Sequence, residues 1–351
     1  MQIQQVVEVL KICLPAKLPV MLTGKPGIGK TDIVFQAAEA LDFDVLLSHP
    51  AISDPTTYQG FPWPDKKAME ATFLPFGQLA RALKATKPTV WFLDDFGQAS
   101  PAVQAACMQL FLARELNGQK IPDCVTFVVA TNGRKHRAGV QGILEPVKSR
   151  FASIIEVETN LNAWTTWALD SGKIRPEIIA FLRFRASPHG DNPGRDLLLD
   201  FDPKLDADIE NYPCPRTWSH ASKLLDAGLP KPLRFEVLKG AVGAGASTEL
   251  CGFLDIFEDV PNPDAVLVDP DSVDVPQQPS ILFALTSALA NRASAATFRR
   301  IARYAERMLD AEQGEFATLL IQDALRRDPK IQKSVDFTRV VTGPLGEMFN
   351  A

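Results

Sequence analysis

Short apolar runs alternate with helix-like patterns over the first 157 residues of the chain. Because a strand covered on both faces has no polar side, each run bounded by turn-forming residues predicts a buried strand. Apolar residues at helical spacing between the runs predict helices, and this alternation is typical of an α/β domain with a parallel sheet. The predicted strands cover 20–22, 44–49, 89–93, 126–130 and 153–157, and the predicted helices cover 3–14, 32–41 and 101–115.

Two segments interrupt the alternation and predict β-hairpins. In the first, residues 58–63 and 68–74 flank a turn over 64–67 that begins with proline. In the second, Asn117-Gly118 is a pair typical of two-residue hairpin turns.

The first hairpin segment carries an aromatic group, Tyr58, Phe61 and Trp63. Two interpretations of this group stay open. The rings either pack on the domain that contains the hairpin, or they form a surface that grips a polypeptide or a protein partner.

The rest of the chain has mostly helical patterns. Residues 158–257 predict a helical domain, and residues 280–351 predict a C-terminal helical extension. Between them, residues 258–279 are rich in Pro and Asp and predict an extended linker. The acidic run over 191–210 lacks the ligand spacing of a calcium site, so it predicts a solvated loop.

Four arginines lie close together in the predicted extension, at Arg299, Arg300, Arg303 and Arg307. They form either a solvated helix face with local acidic partners or a patch that binds nucleic acid or an acidic protein.

A glycine-rich loop follows the first predicted strand. It reads Gly24-Lys25-Pro26-Gly27-Ile28-Gly29-Lys30-Thr31 and matches the phosphate-binding pattern G-x-x-x-x-G-K-[ST] at every required position. A strand, a glycine turn and a helix start together direct several backbone N–H groups and the helix dipole at one anion. We expect Lys30 to reach the terminal phosphates of a nucleotide and the Thr31 hydroxyl to bind Mg²⁺.

Polar side chains also follow two later strands. Asp94 and Asp95 end the strand over 89–93, at the edge where ligands gather in parallel sheets. Asp94 is the expected carboxylate on the Mg²⁺ side, and Asp95 stands where a general base polarises the attacking water, unless it caps the following turn. Asn132, after the strand over 126–130, either positions water against the last phosphate or simply forms a turn.

Composition and charge narrow the class of protein. The 351 residues are 46% hydrophobic and 23% charged, as in a soluble globular protein of two or three domains. No apolar run approaches the roughly 20 residues that cross a bilayer, and the N-terminus lacks a signal peptide. Five scattered cysteines predict reduced thiols and a cytoplasmic protein. The net charge of −5 argues against a protein that wraps duplex DNA.

Considered together, five motifs resemble those of AAA+ ATPases in their order and rough spacing. The resemblance covers residues 1–250, and the two predicted hairpins with the Pro-Arg pair of the last motif are most similar to the MoxR branch. The motifs are Gly24–Thr31, Leu93-Asp94-Asp95, Ala130-Thr131-Asn132, Ser149-Arg150-Phe151 and Cys214-Pro215-Arg216-Thr217-Trp218.

The resemblance implies a fold, a set of ligands and residue roles. The fold is an α/β P-loop NTPase domain with a parallel sheet over 1–157 and a helical lid over 158–257, and the ligands are ATP and Mg²⁺. Asn132 is implied as the first sensor and Arg216 as the second sensor on the lid. Arg150 is implied as an arginine finger that reaches into the neighbouring subunit's site.

One residue departs from the family pattern. The family usually has Glu where this chain has Asp95, whose carboxylate lies roughly 1.5 Å further back on an unchanged backbone. Either the local backbone compensates, which Gly97 would permit, or hydrolysis is slow.

Three functions follow from these observations. The resemblance implies a MoxR-like ATPase, in a homo-oligomeric ring of hexameric type, that remodels a protein substrate or a von Willebrand factor A-type partner. The alternatives are a nucleic-acid-directed AAA+ protein, such as a helicase loader, and a nucleotide-gated scaffold that hydrolyses ATP slowly. The acidic net charge makes a nucleic acid partner unexpected, and the lack of a long apolar run makes a membrane partner unexpected.

Overall fold

The computed structural model describes residues 1–65, 69–133, 142–188, 197–200, 211–258 and 260–346. The chain divides into two compact units, Met1–Thr159 and Asn160–Ala351. Within the described ranges, no helix is long and apolar enough to cross a membrane. All five cysteines are free thiols.

The first unit contains nine strands and six α-helices among its described residues. The strands are β1 (Val20–Gly24), β2 (Asp44–Ser48), β3 (Phe61–Asp65), β4 (Glu70–Leu74), β5 (Thr89–Leu93), β6 (Glu115–Leu116), β7 (Gln119–Lys120), β8 (Val125–Asn132) and β9 (Ser153–Glu156). The helices are α1 (Ile3–Cys13), α2 (Lys30–Ala40), α3 (Thr56–Gln59), α4 (Gly77–Leu83), α5 (Pro101–Leu112) and α6 (Glu145–Lys148).

Five strands form one parallel sheet in the order β2-β5-β8-β1-β9. Every residue of β5 and β8 is buried, as expected for central strands covered on both faces. The register pairs Gly24 with Asn132 and Leu93 with Val129. The carboxyl ends of β1, β5 and β8 therefore meet at one edge of the sheet. The parallel α/β sheet predicted from the apolar runs is confirmed.

Both predicted hairpins form, but the turn of the first does not begin at Pro64, because Pro64 and Asp65 belong to β3 and pair with Ala71 and Glu70. The rest of the predicted turn, residues 66 and 67, lies outside the described residues. β3 pairs antiparallel with β4, with Phe61 opposite Leu74 and Trp63 opposite Thr72. β6 pairs with β7 around Asn117 and Gly118, whose φ angles of 48° and 79° are the left-handed values that this tight turn requires.

The aromatic group of the first hairpin segment divides into two parts. Tyr58 lies in α3, is fully buried and stacks on Trp91 of β5 with ring centroids 6.3 Å apart. Burial raises the pKa of Tyr58, whose hydroxyl donates to Ser53 Oγ. Phe61 and Trp63 on β3 are instead 52% and 55% exposed. The packing interpretation is therefore right for Tyr58, and it does not account for the other two rings.

The second unit contains ten helices among its described residues. They are α7 (Leu161–Ser171), α8 (Pro176–Ala186), α9 (Pro215–Asp226), α10 (Arg234–Val242), α11 (Ala244–Glu258), α12 (Pro263–Val268), α13 (Pro279–Asn291), α14 (Phe298–Asp310), α15 (Gly314–Arg327) and α16 (Val335–Thr342).

One hydrophobic core extends through the second unit, from Trp164 on α7 to Leu345 beyond α16. Arg183 of α8 forms a two-pronged ion pair with Asp323 of α15, whose side chain is only 1% exposed. The C-terminal helices are therefore packed into the same body as the helices over 158–257. The boundaries at 157, 257 and 279 remain predictions.

Two sequence-based expectations about loops need correction. The Pro- and Asp-rich segment is not extended throughout, because it contains α12, whose Val266 is buried in the core. The acidic run over 191–210 lies outside the described residues except for 197–200. There Leu197 and Leu198 form a buried 3₁₀ turn rather than a solvated loop.

The basic residues of α14 also divide into two pairs. Arg303 forms ion pairs with Asp271 and Glu306, and Arg307 donates to the backbone carbonyls of Pro270 and Val273. Arg299 and Arg300 are exposed, and neither forms an ion pair with any described residue.

Candidate nucleotide-binding site

The glycine-rich loop runs from the end of β1 into α2. At Gly24 there is no room for a side chain, since an added Cβ would lie 2.7 Å from Ile28 Cδ1 and 2.8 Å from the Val157 carbonyl oxygen. Gly29 is the N-cap of α2 and has a φ of 96°, a conformation that other residues rarely adopt. Because no side chain caps this helix start, its first N–H groups are available to an anion.

Lys30 connects the loop to the neighbouring strand. Its ammonium group, on a side chain only 8% exposed, donates to the carbonyl oxygens of Gly24 at 3.2 Å and Lys25 at 2.8 Å, and to Asn132 Oδ1 at 2.8 Å. These three acceptors are neutral oxygens. A phosphate oxygen would be a stronger partner, because it carries a negative charge that attracts the ammonium group.

Thr31 lies against the first acid of β5. Its hydroxyl donates to Asp94 Oδ2 at 2.6 Å, and Asp94 Oδ1 accepts from the Asp95 backbone N–H at 2.9 Å. A hydroxyl and a carboxylate in contact offer the hard oxygen ligands that Mg²⁺ prefers. The side chains present therefore fit a magnesium ion bound next to the loop.

Asp95 adopts an unusual backbone conformation. With φ 54° and ψ 33° it is left-handed, a region in which Asp and Asn are several-fold enriched over other side chains. Its side chain does not cap the 3₁₀ turn over Phe96–Gln98, and Oδ1 accepts instead from Gln98 Nε2 at 3.3 Å. The capping interpretation is therefore wrong. The left-handed conformation lies at Asp95 itself, and Gly97, where the sequence permits an adjustment, does not have a positive φ.

Arg150 lies two residues after the end of α6 and is half-buried. Its guanidinium donates to the Pro146 carbonyl oxygen, and its Nε is buried without a hydrogen-bond partner among the described residues. No hydrogen bond within those residues joins Arg150 to Lys30 or Asp94. The structure thus brings together the loop, Asp94 and Asn132, but not Arg150.

Arg216 belongs to the second unit. It is the second residue of α9 and is exposed, whereas Pro215, Thr217 and Trp218 around it are buried. The Thr217 hydroxyl accepts from the Cys214 backbone N–H at 2.8 Å, and Trp218 Nε1 donates to the Leu197 carbonyl at 2.9 Å. The buried neighbours fix the helix start and leave the arginine at the surface.

Two glutamines near the acids have contacts that sequence reasoning missed. Gln98 holds Asp95, as described above. Gln104 of α5 is 1% exposed and hydrogen-bonded to three backbone groups. Its one signal in the sequence is a polar residue among the apolar positions Val103, Cys107 and Phe111 of one helix face.

Comparisons with known proteins agree with this geometry. Residues 19–151 match the family model of the AAA domain, dynein-related subfamily. No curated protein sequence matches the chain.

Several solved structures are similar to the chain. A mutant form of Thermotoga maritima RuvB is 15% identical, with a TM-score of 0.42, and the match covers 82% of this chain and 81% of that one. The Thermotoga maritima RuvB Holliday junction branch migration motor is 16% identical, with a TM-score of 0.40 and the same coverage. NtrX from Brucella abortus is 14% identical, with a TM-score of 0.36, over 53% of this chain and 47% of that one.

These structural likenesses are too weak to carry a functional argument. The family match and the sheet are stronger, because the matched residues span the loop, both acids, Asn132 and Arg150. The first unit therefore has the AAA+ P-loop NTPase fold, with residues 19–151 similar to the AAA domain model, and the second unit is helical.

Proposed function

We propose that this chain binds and hydrolyses ATP with Mg²⁺ and uses that energy, in a ring, to remodel or assemble a protein partner. One observation carries the ATPase part of the proposal. Lys30 contacts Asn132 at 2.8 Å while the adjacent Thr31 contacts Asp94 at 2.6 Å. The phosphate-binding lysine, the metal-side acid and the water-orienting amide therefore lie at one edge of the sheet.

Each of these side chains has a distinct task in phosphoryl transfer. Lys30 and the N–H groups at the start of α2 bind the phosphates, and Thr31 and Asp94 hold the metal ion. When bound, Mg²⁺ neutralises charge on the phosphate oxygens. Asp95 accepts the proton of the attacking water, and Asn132 orients that water.

Assembly as a ring, hexameric in the MoxR-like case, gives Arg150 its role. An arginine that stabilises the transferring phosphoryl group can be supplied by a neighbouring subunit. Arg150 makes no hydrogen bond to its own loop among the described residues, and its Nε is unpartnered there. Both features suit a side chain that completes the site of the next subunit. Arg216 is proposed as a second sensor for the bound nucleotide.

The exposed face of the first hairpin supports a protein partner. Phe61, Trp63 and Leu74 lie on one face of the β3–β4 pair and are 52%, 55% and 47% exposed. Exposed aromatic residues grouped on one face are typical of protein interfaces. A polypeptide substrate or a von Willebrand factor A-type partner would cover this face.

A nucleic-acid-directed function is the second candidate. It is favoured by Arg299 and Arg300, which are exposed without an ion pair to a described residue. It is disfavoured by the net charge of −5. Capture of partners by Asp95→Asn protein loaded with ATP tests the choice, because a variant with blocked hydrolysis retains its partner. Stimulation of wild-type hydrolysis by DNA, and not by a captured protein, would favour the second candidate.

Lys30→Ala is expected to abolish tight ATP binding. The substitution removes the ammonium group directed at the phosphates and also its bonds to the Gly24 and Lys25 carbonyls. Titration calorimetry with ATP and Mg²⁺ measures the loss. Lys84→Ala is the matched control, because it removes the same charge at an exposed position outside the loop. Equal affinity in Lys30→Ala and wild type would remove the assignment of the loop.

Trp63→Ala is expected to affect the protein partner, whereas Tyr58→Ala is expected to destabilise the fold. Trp63→Ala should change the free energy of unfolding by no more than about 0.5 kcal/mol, as at most surface positions, and should weaken work on the protein partner. Tyr58→Ala removes a buried ring stacked on Trp91 and should cost about 3–5 kcal/mol. Urea unfolding and a partner-binding assay measure both. A strongly destabilised Trp63→Ala would show that this ring also serves packing.

A further inference from the structure

Gln104 is a buried polar residue of α5 that the nucleotide site does not use. Its side chain is 1% exposed and lies among the buried residues Val103, Cys107 and Phe111. A buried amide is costly unless it is fully hydrogen-bonded, so the partners of Gln104 show what it holds in place.

The Gln104 amide bonds three backbone groups. Nε2 donates to the carbonyl oxygens of Ala99 at 3.1 Å and Gly142 at 2.7 Å. Oε1 accepts from the Leu144 N–H at 3.0 Å. Both amide protons and the oxygen are therefore engaged.

These partners belong to two segments that lie far apart in the sequence. Ala99 ends the turn that follows Asp95, whereas Gly142 and Leu144 lead into α6 and Arg150. The Gly142 N–H also donates to the Gly97 carbonyl at 3.4 Å, with Gly142 at a φ of 109°. The segment before Arg150 is therefore attached to the turn after Asp95, and Gln104 supplies most of that attachment.

The two segments do not depend equally on Gln104. The turn has its own bonds, from Gln98 N–H to the Asp95 carbonyl and from Ala99 N–H to the Phe96 carbonyl. The Arg150 segment is held from its far side by Phe151, whose ring lies 5.1 Å from that of Phe111 on α5. Without Gln104, the near side would retain one hydrogen bond to the turn among the described residues, from the Gly142 N–H to the Gly97 carbonyl, together with the packing of Ile143 and Leu144 against the core.

We propose that Gln104 is a positioning residue that sets the placement of Arg150 for the neighbouring subunit's site. The inference rests on the proposed role of Arg150 as an arginine finger. It assigns to Gln104 an effect on hydrolysis in the next subunit, through backbone groups, without contact with nucleotide.

Gln104→Met removes the three bonds and keeps the length of the side chain. We expect hydrolysis to fall about 10- to 100-fold, the cost of a finger misplaced by about 1 Å, and the affinity for ATP to stay within about twofold, since Gln104 does not touch the loop. Gln109→Met is the matched control, with the same residue type on the exposed face of the same helix. Gln104→Glu is a second variant, which keeps the acceptor for Leu144 and loses both donors.

Mixed rings determine which site the residue serves. In the reference mixture, Lys30→Ala subunits supply Arg150 but bind no ATP, and Arg150→Ala subunits bind ATP but supply no finger. We add Gln104→Met to the finger-supplying subunit in one mixture and to the ATP-binding subunit in another. We expect a loss of about tenfold or more in the first mixture and activity near the reference in the second.

The outcomes are distinct. Equal losses in both mixtures, or a loss only in the second, would show a general structural role or a role at Asp95 and would overturn the inference. Unchanged activity in both would overturn it as well. A reference mixture without activity would overturn the trans role of Arg150, and with it this inference, so the two failures are distinguishable.

Discussion

Arg150→Ala protein is expected to bind ATP almost normally and to hydrolyse it about a thousandfold or more slowly than the wild type. In the proposed role, Arg150 stabilises charge that develops as the phosphoryl group transfers, so its loss should affect turnover and not ground-state binding. Single-turnover hydrolysis and ATP titration measure the two quantities. Lys148→Ala is the matched control, since it removes a cation two residues away that pairs with Glu145 at the surface.

Mixing Arg150→Ala with Lys30→Ala protein should restore part of the activity. At some interfaces of a mixed ring, an intact Arg150 faces an intact loop. Hydrolysis by the wild type should also rise more steeply than linearly with protein concentration as rings assemble. No rescue, together with a linear dependence, would exclude both the trans role and the ring.

Asp95→Asn is expected to slow hydrolysis about 10²- to 10⁴-fold with little change in ATP affinity, because the amide cannot take the proton of the attacking water. The variant is a clean test, since Asn tolerates the left-handed conformation that Asp95 occupies. Circular dichroism and thermal unfolding should therefore match the wild type. Hydrolysis as fast as in the wild type would show that Asp95 is not the base.

Asp95→Glu tests two alternatives: either the backbone already places the shorter acid for catalysis, or the shorter acid slows hydrolysis. The left-handed backbone and the bond from Gln98 indicate that Asp95 is already placed for its shorter side chain. A longer acid should then overshoot, and turnover should fall about 10- to 100-fold. A rise in turnover would instead support a scaffold whose slow hydrolysis results from the shorter acid.

The parallel sheet and the phosphate-binding loop could be predicted from the sequence. Buried parallel strands have apolar runs, and their order along the chain places the residues that follow them at a common edge. The contacts of Lys30 with Asn132 and of Thr31 with Asp94 agree with that reasoning. The catalytic roles of these residues stay predictions.

The conformation of Asp95 and the contacts of Gln104 could not be predicted. No sequence pattern predicts a left-handed φ at a non-glycine residue. The sequence instead indicates Gly97 as the position where the backbone could adjust. Gln104 bonds groups up to 40 residues away along the chain, which only the folded backbone brings near. Tyr58, Phe61 and Trp63 are neighbours in the sequence, which predicts a single aromatic group. Gly60, at a φ of 86°, turns the chain between them.

The shared core of the second unit links the C-terminal helices to α9, the helix that carries Arg216. Because Arg183 of α8 and Asp323 of α15 form a buried ion pair, α15 cannot leave the unit without depriving the Arg183 guanidinium of its carboxylate partner. Trp218 of α9 and Phe298 of α14 belong to the same core. A movement of this core as one body therefore carries α14 together with the helix that bears Arg216. With Arg216 as a nucleotide sensor, a partner that binds α14 more tightly in one orientation changes ATP affinity by the same factor by which ATP changes the partner's affinity.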